Sequence, residues 1–434
     1  MSDRRSTAAR LVRPRVLPVA LIAAMLTTAC EATSSSTSTS STTGSTPTST
    51  TGGGSPEYAA GLQASLEEVV ENTTVPSAIV VVRSGQFGDA TFTFGNTELG
   101  GTQPVTTKDH FRVGSATKTM TATVILQLVQ EGRFALDDPV SKYISDVPDG
   151  ADITIAQLLD MRSGLYSYTD DPEWSQTVEV EPQRVWTPQE LLDIAFGHPA
   201  DFAPDSNWHY TNTNYILLGM IMEQVTGQPA SELFEQRLFA PLGMNDTVLP
   251  ALEDSSIPVP FVHGYHYGSF DQALPAEQQA QAAAGTLLPE DVSDINASWG
   301  WTAGSVISTP DDLVVWVDAL VSGTLLDPAT QQLDSIRSLG PDYPQAEGIY
   351  GYGYGIDRTG SYYGHGGQIT GYNTAMSRDP DTDTTVIVVA TLTLAPDGTA
   401  VAPALSNTVI GALPDGSPIA STVPEPPGGL LPDD

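Results

Sequence analysis

The sequence predicts an α/β (α+β) fold: one antiparallel sheet built from both ends of the chain and flanked by helices, with a mostly helical region inserted between the two halves. Three observations carry this expectation. Apolar, β-branched runs come early, at "SAIVVVRSG" (77–85) and "ATFTFGN" (90–96). Helical signals broken by long loops then fill the chain from about 150 to 330. After 345 strand signals return in "YGYGYGIDR", "SYYGHGG", "GYNTAMSRD" and "TTVIVVATL", before a last apolar stretch, "AVAPALSNTVIGAL", that reads as a helix.

Taken in order, the two early runs read as a hairpin. "SATKTMTATVILQLVQEG" follows as a largely buried helix, with Val124, Leu126 and Val129 apolar and Gly132 at its stop position. The inserted region offers "ITIAQLLDMRSG", "TPQELLDIAFG", "NYILLGMIMEQVTG", "PASELFEQRLF" and "TPDDLVVWVDALVSG". Several of these open on Thr-Pro or Asp and close on Gly, the usual start and stop chemistry of helices. A cleft is expected where the sheet and the inserted region meet.

Composition bounds the partners. The 434 residues carry 52 Asp+Glu against 17 Lys+Arg, a formal charge of −35. Such a surface repels nucleic acid and anionic lipid, so no nucleic-acid partner is expected. The N-terminus departs from this balance. Arg4, Arg5, Arg10, Arg13 and Arg15 precede "LPVALIAAMLTTA", which is too short for a membrane span and reads as a secretory signal. The run ends at Cys30, the one cysteine in the sequence, in a position that resembles a bacterial lipobox, where the cysteine is lipidated. Residues 30–56 are almost wholly Ser, Thr and Gly and read as a flexible tether. Residues 412–434 are Pro-rich and acidic and read as a disordered tail. The expected organisation is therefore a lipoprotein signal peptide (1–29), the tether, a folded domain (57–411) and the tail. The expected place is extracytoplasmic, anchored to the cell membrane by lipid alone, or secreted if Cys30 is unmodified.

Three short pieces could do chemistry. Ser115 and Lys118 lie three residues apart at a helix start, so their side chains share one face. A serine becomes a nucleophile when a base takes its proton, and a lysine becomes that base when burial pulls its pKa toward neutrality. In "WHYTNTNY" (208–215), Tyr210 offers a phenol that can share a proton with Lys118, and Asn212 an amide that can bind a carbonyl. In "YYGHGGQITGY", His365 can orient a proton or meet an anion, and Gly366 and Gly367 let a substrate backbone lie against a strand edge. Singly, each has a bland reading: a chance pair, a loop tyrosine with an Asn cap, a glycine turn.

Jointly, Ser-x-x-Lys, Tyr-x-Asn and His-x-Gly on helix, loop and strand resemble the serine β-lactamase and penicillin-binding protein superfamily. "FRVGSATKTMTATVILQLVQEGRFALDDPVSKYI", "RSGLYSYTDD", "YTNTNYILLGMIMEQVTG" and "TAGSVISTPDDL" look closest to secreted actinomycete D-alanyl-D-alanine carboxypeptidases. Class C β-lactamases and related esterases are more distant. The resemblance implies a β-lactamase/transpeptidase-like fold over nearly all of residues 57–411 and an acyl-enzyme on Ser115. It makes Lys118 the activating base and Tyr210 the proton carrier to the leaving group. Asn212 would bind the substrate amide, His365 and Gly367 would flank the cleft, and the backbone N–H groups of Ser115 and Gln368 would form the oxyanion hole. Trp174 and Trp299 fall where those carboxypeptidases carry aromatic residues near the cleft. The implied activity is that of a D-alanyl-D-alanine carboxypeptidase on cell-wall stem peptide. The alternatives are an esterase or class C-like β-lactamase acting on another small molecule, or a non-catalytic penicillin- or wall-binding module. No cofactor and no metal is implied, and the chain is expected to be a monomer.

The sequence departs from that pattern in places. The middle residue of the third motif is usually Thr or Ser, and here it is Gly366. An arginine expected on the preceding strand is replaced by Asp357, with Arg358 one residue along and turned to the other face by strand alternation. Met161 stands where the relatives carry a histidine. The first two changes weaken the case for a free carboxylate on the substrate's leaving end. The remaining histidines, His110, His198, His209, His263 and His266, show no metal-ligand spacing, and in "HGYHYG" no carboxylate accompanies the pair.

Overall fold

The structure, a computed structural model, describes residues 56–268, 272–339 and 350–414. Cys30, the signal, nearly all of the tether and most of the Pro-rich tail lie outside the described residues.

A seven-stranded antiparallel sheet organises the molecule. Its strands are β1 (Ser77–Ser84), β2 (Ala90–Gly95), β3 (Tyr350–Tyr352), β4 (Asp357–Thr359), β5 (Tyr362–Ile369), β6 (Tyr372–Asp379) and β7 (Thr384–Ala390). The spatial order is β2-β1-β7-β6-β5-β4-β3, so β1 pairs with β7 and the first and last strands of the described residues meet in one sheet. The expected fold class is the one observed.

The alternation of side chains in β1 and β7 explains how the sheet is covered on both faces. Val80, Val82, Val386 and Val388 point to a cluster completed by Leu62 and Leu66 of helix α1 (Glu57–Thr73) and by Leu405 and Val409 of the C-terminal helix Val401–Ala412. Ile79, Val81, Ile387 and Val389 point the other way, into the larger core shared with the inserted helices. Complete burial of such side chains stabilises the fold by roughly 1.5–3 kcal/mol each. Within the larger core run α2 (Thr117–Gln130), α3 (Asn212–Thr226) and α4 (Pro310–Ser322). Trp316 of α4 fixes α2 by donating its indole N–H to Thr119 Oγ1 at 2.8 Å.

Three local readings change. The chain enters the fold through α1, which sequence reading passes over although Leu62 and Leu66 recur at helical spacing after Pro56-Glu57. The "ITIAQLLDMRSG" helix is only Ile155–Leu159, because Met161 takes a left-handed backbone (φ 63°) and turns the chain. "YGYGYGIDR" is two short strands, β3 and β4, separated by a turn in which Gly355 has φ 67°. A methyl group at Gly355 would stand 2.8 Å from the carbonyl oxygen of Lys118, so this turn packs directly on α2.

Candidate active site

Ser115 sits in a short 3-10 turn (Gly114–Ala116) that runs straight into α2, and Lys118 lies in the first turn of that helix. The turn is pressed against β5. Gly114 has φ 57°, and a methyl group there would come within 2.7 Å of the Gln368 nitrogen. A methyl group at Gly367 would lie 2.0 Å from the Val113 carbonyl oxygen and 3.2 Å from the Ser115 nitrogen. Real side chains cannot occupy such space, so two glycines let the nucleophile's backbone and the strand approach. Pairing of β4 with β5 stops at Asp357↔Gly364. Beyond that point this edge of β5 is left by β4. The Gly366 N–H points to the same edge, where the Asp357 carboxyl accepts it. Two residues on, the Gln368 N–H has the same orientation.

Lys118 is fully buried, and its Nζ has three oxygen neighbours: Ser115 Oγ at 3.0 Å, Asn212 Oδ1 at 2.7 Å and the Ala303 carbonyl at 2.8 Å. Its ammonium form donates to all three. Burial without a compensating carboxylate holds its pKa well below the usual lysine value. A neutral amine has two N–H donors, which suit Asn212 and Ala303, and one lone pair, which then faces Ser115. The arrangement can therefore take the serine proton.

Asn212 begins α3 and is held by the 166–170 loop. Its backbone N–H donates to Ser167 Oγ, and its Nδ2 donates to Thr169 Oγ1. Tyr210 places its ring 4.8 Å from Lys118 Nζ. Burial raises its pKa, so the phenol keeps its proton. Its hydroxyl lies beside Ser115, which works against that shift, yet it completes no hydrogen bond of good geometry.

His365 is buried behind Tyr210, with ring centroids 6.1 Å apart. Its Nδ1–H donates to the Gly366 carbonyl, and its Nε2 accepts from the Tyr352 hydroxyl at 3.0 Å. Burial first, then the nearby Lys118, lowers its pKa to about 3. With both nitrogens engaged and the ring neutral, His365 has no positive charge to offer an anion, unlike the role sequence reading allowed. Trp174 and Trp299 form an edge-to-face pair, centroids 5.3 Å apart, buried beside Tyr168 in the core. Gly366 is different from its neighbour Gly367: a methyl group there meets only the Thr374 oxygen at an ordinary 3.6 Å. No steric reason requires glycine at that position.

Sequence reading missed the Ala303 carbonyl and Tyr352. A backbone acceptor leaves no side-chain signal. Ala303 sits in the short helix Trp301–Gly304, where Trp301 has φ 32° and Thr302 is tied to α2 and α3 through Thr121 and Tyr215. The "HGYHYG" histidines do have carboxylate neighbours, supplied by a distant strand: His263 bonds Asp291 at 2.6 Å, and His266 lies 3.8 Å from Glu290. Among the described residues these remain separate pairs, and no group of three or more ligand-type side chains gathers there.

A serine beside a buried lysine, with a phenol and an amide closing the site, is the arrangement of a serine hydrolase. Residues 62–408 match the beta-lactamase family, and the chain belongs to it. Among solved structures it is similar to a D-stereospecific amidohydrolase from Streptomyces sp., with 32% identity, 82% of this chain and 99% of that one covered, and a TM-score of 0.67. It is 25% identical over 324 residues to penicillin-binding protein 4* of Bacillus subtilis, covering 71% of this chain and 67% of that protein. It is also 24% identical over 319 residues to a D-aminopeptidase of Brucella ovis, covering 72% of this chain but only 55% of that protein.

Proposed function

We propose that the protein hydrolyses amide bonds formed by D-amino acids, through an acyl-enzyme on Ser115. The observation that carries the reading is Lys118: fully buried, without a carboxylate, and 3.0 Å from the serine oxygen. Lys118 Nζ takes the Ser115 proton as Oγ bonds to the substrate carbonyl carbon. The oxyanion is met by the N–H groups of Ser115 and Gln368. Tyr210 passes the proton to the leaving nitrogen as the C–N bond breaks. Water then adds to the acyl carbon, the C–Oγ bond breaks, and Ser115 recovers a proton. Asn212, held by Thr169 and Lys118, binds the substrate amide. His365 positions Tyr352 and the Gly366 carbonyl, and Gly367 keeps the strand close.

The likeness to the D-stereospecific amidohydrolase and the D-aminopeptidase supports D-amino-acid amides as the substrate class. A second reading is a D-alanyl-D-alanine carboxypeptidase acting on cell-wall peptide, supported by the likeness to penicillin-binding protein 4*. That reading needs a cation for the substrate's terminal carboxylate. Lys118 and His365 are both held away from their charged forms, and Asp357, its pKa raised by burial to about 7, offers no positive charge in place of an arginine. The arginine-rich signal, Cys30 and the tether support an enzyme anchored outside the cytoplasm; Cys30→Ser is then expected to move it from membrane to medium.

The test compares D-alanine and L-alanine p-nitroanilides with an acyl-D-Ala-D-Ala peptide in free-acid and C-terminally amidated forms. Cleavage of the D anilide, lost in Ser115→Ala, with poor use of the free acid, is the expected outcome. Selective cleavage of the free acid would establish the carboxypeptidase instead.

A further inference from the structure

The edge of the site holds one ionisable group that the chemistry above does not use. Asp357 lies on β4 in register with Gly364, and its carboxyl accepts the Gly366 N–H. Its charge opposes ionisation of Tyr210, which places it within electrostatic reach of the phenol. Burial is the largest influence on Asp357 and raises its pKa to about 7, while the Gly366 N–H favours the charged form; among the described residues no cation does so. Arg358 does not serve. Its Nε donates to the Gly360 carbonyl at 2.9 Å, and its guanidinium lies 5.3 Å from the Tyr363 ring centre. Lys118 and His365 are held from their charged forms. Gly366 and Gln368 beside it are partly exposed, as is Asp357, whereas His365 and Gly367 are buried. A carboxyl group reachable at the strand edge, with no cation beside it among the described residues, is completed by a cation from the substrate.

We propose that Asp357 receives the free α-ammonium group of a D-amino-acid amide and so selects unblocked substrates over N-acylated ones. The inference rests on the D-amino-acid amide reading above. One N–H bond to Gly366 leaves the second carboxyl oxygen able to take an ammonium donor. A bound ammonium favours the ionised carboxylate, which in turn repels substrates that carry a carboxylate at that position.

The experiment measures kcat/KM for D-alanine p-nitroanilide and its N-acetyl derivative in the wild type, Asp357→Asn and Asp357→Glu. Asparagine keeps an oxygen for the Gly366 N–H and removes the charge; glutamate keeps the charge. The wild type is expected to prefer the unblocked anilide at least tenfold. Asp357→Asn should bring that ratio below threefold, chiefly through KM, and Asp357→Glu should restore at least half of the preference on a logarithmic scale. A wild-type ratio near one overturns the proposal, as does an Asp357→Asn ratio equal to the wild type's. Absence of Ser115-dependent cleavage of either anilide would instead remove the underlying reading, and this inference with it.

Discussion

Lys118 has an acceptor on two sides and a serine on the third, and burial sets what it can do there. The ammonium form is penalised, so the amine is available as a base at pH values where an exposed lysine is charged. Lys118→Met is expected to lower kcat about 100-fold or more on an amide substrate. The same burial has a stability cost. The folded pKa lies below the unfolded one, so the unfolded chain binds the proton more tightly between them, and stability falls as pH drops through that window. The Tm of Lys118→Met relative to wild type should therefore rise as pH falls from about 10 toward neutrality; a constant difference would argue against a neutral folded lysine. His365 follows the same sign at lower pH. Its folded pKa of about 3 lies below the ordinary 6.5, so its neutral burial is lost as a source of stability as pH falls from 6.5 toward 3. His365→Gln should flatten the decline of Tm over that interval. An unchanged slope would count against the neutral ring.

Between elements, the decisive contact is the 3-10 turn against β5, which only glycine at 114 and 367 permits. Gly367→Ala must move the strand or the turn, and overpacking of this kind costs about 1–3 kcal/mol. Because the displaced atoms adjoin Ser115, acylation should slow more than stability suggests, by tenfold or more; a variant with full acylation rate would refute the close approach. Gly366→Ala, with ordinary space around it, should change Tm little. The contrast separates two adjacent glycines that look alike as letters. Much at this scale was legible beforehand. The β-branched runs marked β1, β2 and β7, and Thr-Pro starts with Gly stops marked α4. Met161 and Gly355 were not legible as breaks, because their backbone conformations answer to tertiary contacts, the Thr211 N–H on the Met161 sulfur and the packing of Gly355 on α2.

For the molecule as a whole, the sheet joins the first and last strands of the described residues, so Ser115 and the glycine strand about 250 residues later become neighbours only on folding. Motif order made Ser115, Lys118, Tyr210 and Asn212 legible. The Ala303 carbonyl was not, since any residue supplies a carbonyl, nor was Asp291 beside His263, since only strand pairing brings them together. The charge of −35 also acts globally. Self-repulsion among carboxylates is screened by salt, so Tm should rise by a few degrees between about 50 mM and about 500 mM NaCl; a flat response would mean that the acidic surface is already compensated locally.

The proposed mechanism requires a covalent bond at one oxygen, Ser115 Oγ. Intact-mass spectrometry of the protein mixed with a penicillin or an activated D-alanyl ester, with peptide mapping and Ser115→Ala alongside, tests it most directly. The expected result is a stoichiometric acyl adduct on the peptide containing Ser115, absent from the variant and slow to form in Lys118→Met. An adduct that survives Ser115→Ala, or substrate turnover undiminished in that variant, would contradict it.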